Sequence, residues 1–188
     1  MCSIEKLDDF KTKIIEKVKN NNEYKDYIKQ DINPKIYLID DDFIKKMRDD
    51  VPVENIIKSY YQIHALGITI KYKEYESGTF TSTLNGNFIL KERDILIFKY
   101  PESNENQILS TLTHELMHSL FQGIDNTNDE GNGYNEACTD FLAQKFYGKD
   151  YFTYYSKLTN RKGYLEYYDK FFNSNEEAKN EILKMYFS

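Results

Sequence analysis

Two of the three histidines in this chain stand four residues apart, in the stretch His114-Glu115-Leu116-Met117-His118. On an α-helix, residues i and i+4 lie on the same face, so both imidazole rings can reach one metal ion. Zinc binds such nitrogens at about 2.0–2.1 Å, and the intervening glutamate can reach a bound water instead of the metal. The pattern predicts a zinc site with an adjacent general base. The alternative is a pair of ordinary helical histidines.

A catalytic zinc takes a third protein ligand and keeps one position open for water. Glu136 and Asp140 are also four residues apart, in a predicted helix that ends at Gly148. One carboxylate can bind the metal while the other accepts a hydrogen bond from a ligand histidine. Cys138 is an alternative soft ligand, but it points to a different side of that helix. His64 lies far upstream, and we expect it to be structural.

The stretch HELMH, followed 18 residues after His118 by NEACTD, resembles the gluzincin metallopeptidases, the thermolysin-like zincins with a glutamate ligand. The resemblance covers about residues 80–148. It implies that His114, His118 and Glu136 are zinc ligands. It also implies that Glu115 is the general base and that Asp140 supports His114 from outside the metal site. The chain is too short for the large helical domain of bigger gluzincins, which predicts a minimal member.

The resemblance implies zinc-dependent hydrolysis of peptide bonds, with water activated by zinc and Glu115, and an endopeptidase is favoured. A second donor for the developing oxyanion is expected, and Tyr134 is the first choice among the 17 tyrosines. An extended substrate is expected along an edge strand near Phe88–Leu90, with residues 95–100 inside it. Two alternatives remain: a zinc exopeptidase, and a catalytically silent zincin-fold interaction module, against which the intact Glu115 argues.

The elements expected to position these residues give an α+β, zincin-like fold. A small, mostly antiparallel sheet packs on the HExxH helix, between helical N-terminal and C-terminal segments. We predict one domain over residues 1–188, with a helical part (1–67), a sheet with the active-site and glutamate helices (68–148), and a helical part (149–188). Apolar spacing predicts that the HExxH helix runs from a cap at Ser103 to Gly123.

The strands are predicted from alternating apolar residues at 68–72 and 95–100, with a short strand at 35–39 and a hairpin around Asn85-Gly86. The loop at residues 124–133 is expected to be a flexible connection, with a calcium site as the alternative. The last forty residues are either a small helical subdomain or a plug over the cleft, and in the second case removing residues 174–188 raises activity.

Composition restricts the partners. The formal net charge of −6 argues against a nucleic-acid ligand, and no apolar run is long enough to cross a membrane. The expected partner is therefore a peptide or protein substrate, and a monomer suffices for the proposed site. The first 20 residues lack the apolar stretch of a secretory signal, which predicts a cytoplasmic protein; secretion after removal of a signal, or by another route, is the alternative. Two cysteines make no disulfide framework.

Overall fold

The computed structural model describes residues 3–29, 32–50, 52–70, 81–83, 87–89, 93–124, 127–153 and 162–188. Over these residues the fold is α+β and mostly helical, as predicted. The α-helices are α1 (Ile4–Lys19), α2 (Asp41–Lys46), α3 (Pro52–Gln62), α4 (Glu105–Leu120), α5 (Asp129–Tyr147), α6 (Lys162–Asn173) and α7 (Glu176–Phe187). The strands are β1 (Ile36–Ile39), β2 (Gly67–Thr69), β3 (Thr81–Thr83), β4 (Asn87–Ile89) and β5 (Ile95–Phe98).

The main sheet has three strands in the order β1-β5-β2, and it is mixed. β5 runs parallel to β1 and antiparallel to β2. The predicted "mostly antiparallel" sheet is therefore wrong for these three strands. The reason is that β1 pairs with β5 across almost sixty residues of chain, and the residues of β1 alone do not indicate a partner so distant. A parallel pair of this kind requires a long crossover, and here α2, α3 and β2 lie within it.

Helices cover both faces of this sheet, which explains its side-chain pattern. Along β5, Ile95 and Ile97 belong to the apolar cluster that also includes α1, α4 and α5. Leu96 and Phe98 point the other way, into a second cluster that includes Val53 and Ile57 of α3. Successive side chains of a strand alternate between faces, so a central strand covered on both sides is apolar at every position. All four residues of β5 are buried.

The predicted hairpin is present as β3 and β4, which pair antiparallel with Thr83 opposite Asn87. Its turn at Asn85-Gly86 lies outside the described residues, as do Tyr72 and Leu90. Within the described residues, β4 pairs with β3 and not with the three-stranded sheet. The expected placement of Phe88–Leu90 as the edge next to β5 is therefore wrong. Among the strands that the structure describes, β2 lies at the edge of this sheet, next to β5 and on the side of α4.

The C-terminal helix α7 packs into the same core as α4 and α5. Its side chains Leu183 and Tyr186 are buried, and Tyr186 has no exposed surface. The Tyr186 carbonyl also accepts a hydrogen bond from the Gly123 amide, 3.0 Å away, just beyond α4. These contacts make α7 a structural part of the core. No helix in the described parts of the chain is both long and apolar enough to cross a bilayer.

Candidate metal centre

The helix α4 is the backbone of the site, and it is buried along most of its length. It begins one residue later than predicted, because Asn104 is the N-cap and accepts a hydrogen bond from the Gln107 amide at 2.9 Å. Its last turn is held by Arg93, whose guanidinium donates to the carbonyl oxygens of His118 (2.7 Å) and Phe121 (3.1 Å). A cation at a helix C-terminus is favourable for the helix dipole.

The second helix of the site, α5, begins at Asp129, earlier than the sequence suggested. Asn128 caps it by accepting a hydrogen bond from the Gly131 amide at 2.8 Å. The predicted loop at 124–133 is therefore too long, because Asp129 and Glu130 form the first helical turn. Acidic residues there favour the helix dipole, which accounts for their presence without a calcium ion. The predicted end is confirmed, since Gly148 follows the helix with a φ of 112°.

The structure brings together the three predicted ligands, His114 and His118 from α4 and Glu136 from α5. The Nε2 atoms of the two histidines are 3.2 Å apart. Glu136 lies 3.1 Å from the His114 Nε2 through Oε2, and 3.5 Å from the His118 Nε2 through Oε1. This cluster can hold a metal ion: its ligand atoms all lie within 4.8 Å of one another.

These separations fit zinc. Two ligand atoms about 2.0–2.1 Å from one tetrahedral ion lie about 3.3–3.4 Å from each other. The two histidine nitrogens, 3.2 Å apart, are close to that value, and Glu136 approaches one of them at 3.1 Å through Oε2 and the other at 3.5 Å through Oε1. Two histidines and one glutamate are also a donor set that catalytic zinc sites use, with a fourth position left open. The residues present therefore fit the metal that the sequence predicts.

Asp140 supports His114 on the side away from the cluster. Its Oδ1 lies 3.3 Å from the His114 Nδ1, and both side chains are buried. Burial alone would lower the pKa of His114, but hydrogen bonds to Asp140 and Glu136 raise it to about 10. Burial opposes the charged form of Glu136 as well, yet the two histidines bring the pKa of that carboxyl well below its usual value. The two histidines therefore keep Glu136 in its carboxylate form.

Three hydroxyl groups in turn support Asp140. Tyr151 donates to Oδ1, Tyr168 donates to Oδ2, and the Thr153 hydroxyl donates to Oδ2 at 2.6 Å. Burial alone would raise the pKa of Asp140, but its hydrogen bonds lower it, and the bond to His114 has the largest lowering effect. The opposite holds for Tyr168, where burial and the charge of Asp140 raise the pKa. These phenols therefore stay protonated and remain donors.

His118 is supported differently. Its Nδ1 lies 3.2 Å from the Thr139 hydroxyl and 3.5 Å from the Asn135 side-chain nitrogen. The Thr139 hydroxyl donates to the Asn135 carbonyl at 2.7 Å and lies 2.9 Å from the Tyr186 hydroxyl. No charged side chain takes part in these contacts, so the second ligand histidine rests on neutral groups.

Glu115 is held against the edge strand β2. The Thr69 hydroxyl lies 2.8 Å from its Oε2 and 2.9 Å from its main-chain oxygen. β2 passes so close that a Cβ atom on Gly67 would lie 2.8 Å from the Glu115 Cγ. This close approach requires glycine at that position, and it fixes the carboxylate at the edge of the sheet.

The remaining candidates lie outside the cluster. The Tyr134 ring packs edge-on against Tyr167. Its interaction with Lys170 raises the pKa of that amine, and its proposed role as oxyanion donor stays a prediction. Cys138 is fully buried, burial raises the pKa of its thiol, and its sulfur is not among the clustered ligand atoms. His64 stacks on Tyr100, which agrees with its expected structural place.

Sequence reasoning missed the side chains that hold the ligands in place. They come from five different segments of the chain: Thr69, Thr139, Tyr151, Thr153, Tyr168 and Tyr186. Thr139 alone carried a local signal, because it follows Glu136 by three residues on the same helix. The tyrosines carried none, since each is one of 17 in the chain.

Known proteins add nothing to this picture: no family model, curated protein or solved structure matches the chain. The geometry of the site therefore carries the functional argument.

Proposed function

We propose that this protein is a zinc-dependent peptidase of the gluzincin type, acting on a peptide or protein. One observation carries the proposal: the ligand atoms of His114, His118 and Glu136 lie together at separations that suit one zinc ion. A structural zinc site is usually closed by four protein ligands, whereas this cluster offers three from the part of the chain that the structure describes. Zinc, when bound, supplies a Lewis acid that activates water and carbonyl groups near neutral pH.

Glu115 is the proposed proton carrier. It follows His114 directly, and Thr69 holds its carboxylate beside β2. In this position it accepts a proton from the attacking water and delivers that proton to the leaving amine. Asp140 keeps the His114 ring oriented, because a hydrogen bond to Nδ1 leaves Nε2 directed at the cluster.

The edge strand β2 supplies a place for an extended peptide. Two backbone hydrogen bonds join this strand to β5 at its two ends. The Phe98 amide donates to the Leu66 carbonyl, and the Ile70 amide donates to the Asp94 carbonyl. In an antiparallel pair such bonds alternate, so the amides and carbonyls of Gly67 and Thr69 face away from β5. A substrate strand beside Glu115 can pair with them by β-augmentation, which favours an endopeptidase.

The test is the Glu115→Gln variant, assayed for both zinc content and cleavage of a denatured, casein-type protein substrate. A general base contributes about 10²–10⁴-fold, so cleavage should fall at least about 100-fold while zinc stays at one per chain. The matched control is Glu5→Gln, the same change at an exposed position on α1. It should leave both quantities unchanged.

Other outcomes separate the alternatives. A wild type that binds zinc but cleaves no protein or peptide would support the silent interaction module. Cleavage restricted to chain ends would favour the exopeptidase. Undiminished cleavage by Glu115→Gln would overturn the role of Glu115, and a folded wild type without zinc affinity would overturn the proposal as a whole.

A further inference from the structure

The Nδ1 atom of His118 needs an acceptor whenever this histidine binds a metal through Nε2. A neutral imidazole carries one proton, and a metal ligand presents its lone pair, so the proton of His118 must then be on Nδ1. Two groups face that atom: the Thr139 hydroxyl at 3.2 Å and the Asn135 side-chain amide at 3.5 Å.

Asn135 does not supply the acceptor. Its side-chain oxygen accepts a hydrogen bond from the Ile124 amide at 2.9 Å, which turns its NH₂ group toward the imidazole. An NH₂ group is only a donor, so it has nothing to offer an N–H. If the amide were turned over, its NH₂ group would face the Ile124 N–H, donor against donor, and that hydrogen bond would be lost.

Thr139 is able to accept. A hydroxyl has one proton and two lone pairs, and the proton of Thr139 goes to the Asn135 carbonyl, 2.7 Å away. Both lone pairs are then available, one for the His118 Nδ1 and one for the Tyr186 hydroxyl at 2.9 Å. Thr139 and Tyr186 are completely buried, so water does not replace either partner.

We infer that Thr139 and Tyr186 are positioning residues that hold His118 in its metal-binding tautomer, and that α7 is thereby part of the metal centre. Tyr186 reaches the site from the last turn of the chain, and its hydroxyl also lies 3.4 Å from the Met117 carbonyl on α4. The inference rests on the zinc site proposed above, because the tautomer matters only when His118 binds a metal.

The experiment measures zinc affinity by competition with a chelator, using the full chain. Losing a hydrogen bond behind a metal ligand typically costs 10–100-fold in affinity. We expect about a 10-fold loss for Thr139→Val, less than a twofold change for Thr139→Ser, which keeps the hydroxyl, and about a threefold loss for Tyr186→Phe. The last variant keeps the ring and so keeps the core packed.

The control is Tyr100→Phe. It removes another buried phenol, whose hydroxyl donates to the Ala65 carbonyl at 2.7 Å in the second apolar cluster. A loss of general stability would appear in both tyrosine variants, whereas only Tyr186→Phe should lower zinc affinity. A second readout is the Nδ1 proton of His118 in the zinc-loaded protein, seen by NMR on labelled histidine, which should shift upfield in Thr139→Val.

Each result decides a separate point. Wild-type affinity in Thr139→Val overturns the inference and leaves the zinc site intact. If that variant does not fold, Thr139→Ser and Tyr186→Phe take its place: a serine variant that binds as poorly as Tyr186→Phe, or a phenylalanine variant that binds as the wild type does, overturns it. A folded wild type without zinc affinity overturns the proposed function as well.

Discussion

The two halves of the candidate metal centre hold their histidines in different ways. Behind His114 is a carboxylate, Asp140, which accepts hydrogen bonds from three hydroxyl groups. Behind His118 is a hydroxyl, Thr139, connected to α7 through Tyr186. We refer to these as the charged support and the neutral support. The charged support draws on Tyr151, Thr153 and Tyr168, and the neutral support draws on Tyr186 of α7.

The charges already buried at the site explain why only one support is a carboxylate. Glu136, Asp140 and the neighbouring Glu115 are three buried or partly buried carboxylates, and a divalent cation in the proposed site would neutralise only two negative charges. A second carboxylate behind His118 would add a buried charge without a partner, and an isolated buried charge is costly. The neutral support therefore orients its histidine without adding charge, whereas the charged support orients its histidine and also adds a negative charge.

Deleting residues 174–188 should have the largest effect on the two supports, because it removes α7 and with it Tyr186 of the neutral support. Replacing one large buried aromatic by alanine costs about 3–5 kcal/mol, and this deletion removes Leu183 as well as Tyr186. The total is comparable with the whole stability of a typical domain. We expect the cooperative unfolding transition in urea to be lost, together with cleavage.

The plug hypothesis makes the opposite prediction for the same deletion. A helix that only covers the cleft can be removed without unfolding the core, and cleavage then rises. A truncated protein that still unfolds cooperatively and cleaves faster than the full chain would show that α7 is not needed to support His118.

Asp140→Asn breaks the charged support and should have the next largest effect. The amide keeps the shape of the side chain but removes the negative charge that faces His114 and the three hydroxyls. Breaking a buried ion pair costs about 3–5 kcal/mol. We expect zinc affinity to fall about 10–100-fold and the free energy of unfolding of the metal-free protein to fall with it. Chelator competition and urea denaturation measure the two quantities.

The exposed Asp150→Asn is the control for that variant and should change neither quantity. The result also ranks the two supports. If Asp140→Asn costs no more zinc affinity than Thr139→Val, then the charge of the support makes no difference and the comparison above fails.

The sequence predicted one side of this comparison better than the other. His114, His118, Glu136 and Asp140 were found because helical periodicity places each pair on a common face, and the distances agree. The supports beyond Asp140 depend on which distant segments meet in the folded chain, and no local pattern records that. The same limit explains the sheet: each strand of the main sheet was indicated by its own residues, but the parallel pairing of β1 with β5 was not.

Tyr168→Phe tests the outer layer of the charged support. Its hydroxyl donates to a carboxylate, and hydrogen bonds to charged groups contribute about 1.5–3 kcal/mol. Because Tyr151 and Thr153 still bind Asp140, we expect a loss near 1.5 kcal/mol in unfolding free energy and less than a threefold loss of zinc affinity. Tyr186→Phe removes a bond between neutral groups and should cost about 0.5–1.5 kcal/mol. A larger stability loss for Tyr186→Phe than for Tyr168→Phe would contradict the distinction between the supports.

Tyr134→Phe should have the smallest effect, because Tyr134 belongs to neither support. It lies on α5 two residues before Glu136, but it interacts with the exposed Lys170 and its ring packs on Tyr167. We expect zinc affinity and cleavage to change less than twofold. The oxyanion role predicted from sequence requires a different result, since removing one such donor costs about 10²–10³-fold in turnover. A fall of that size at unchanged zinc affinity would mean that the Tyr134 hydroxyl leaves Lys170 when substrate binds. Helix α5 would then supply the hydrogen-bond donor to the oxyanion, in addition to the proposed zinc ligand Glu136 and the residues Thr139 and Asp140 of the two supports.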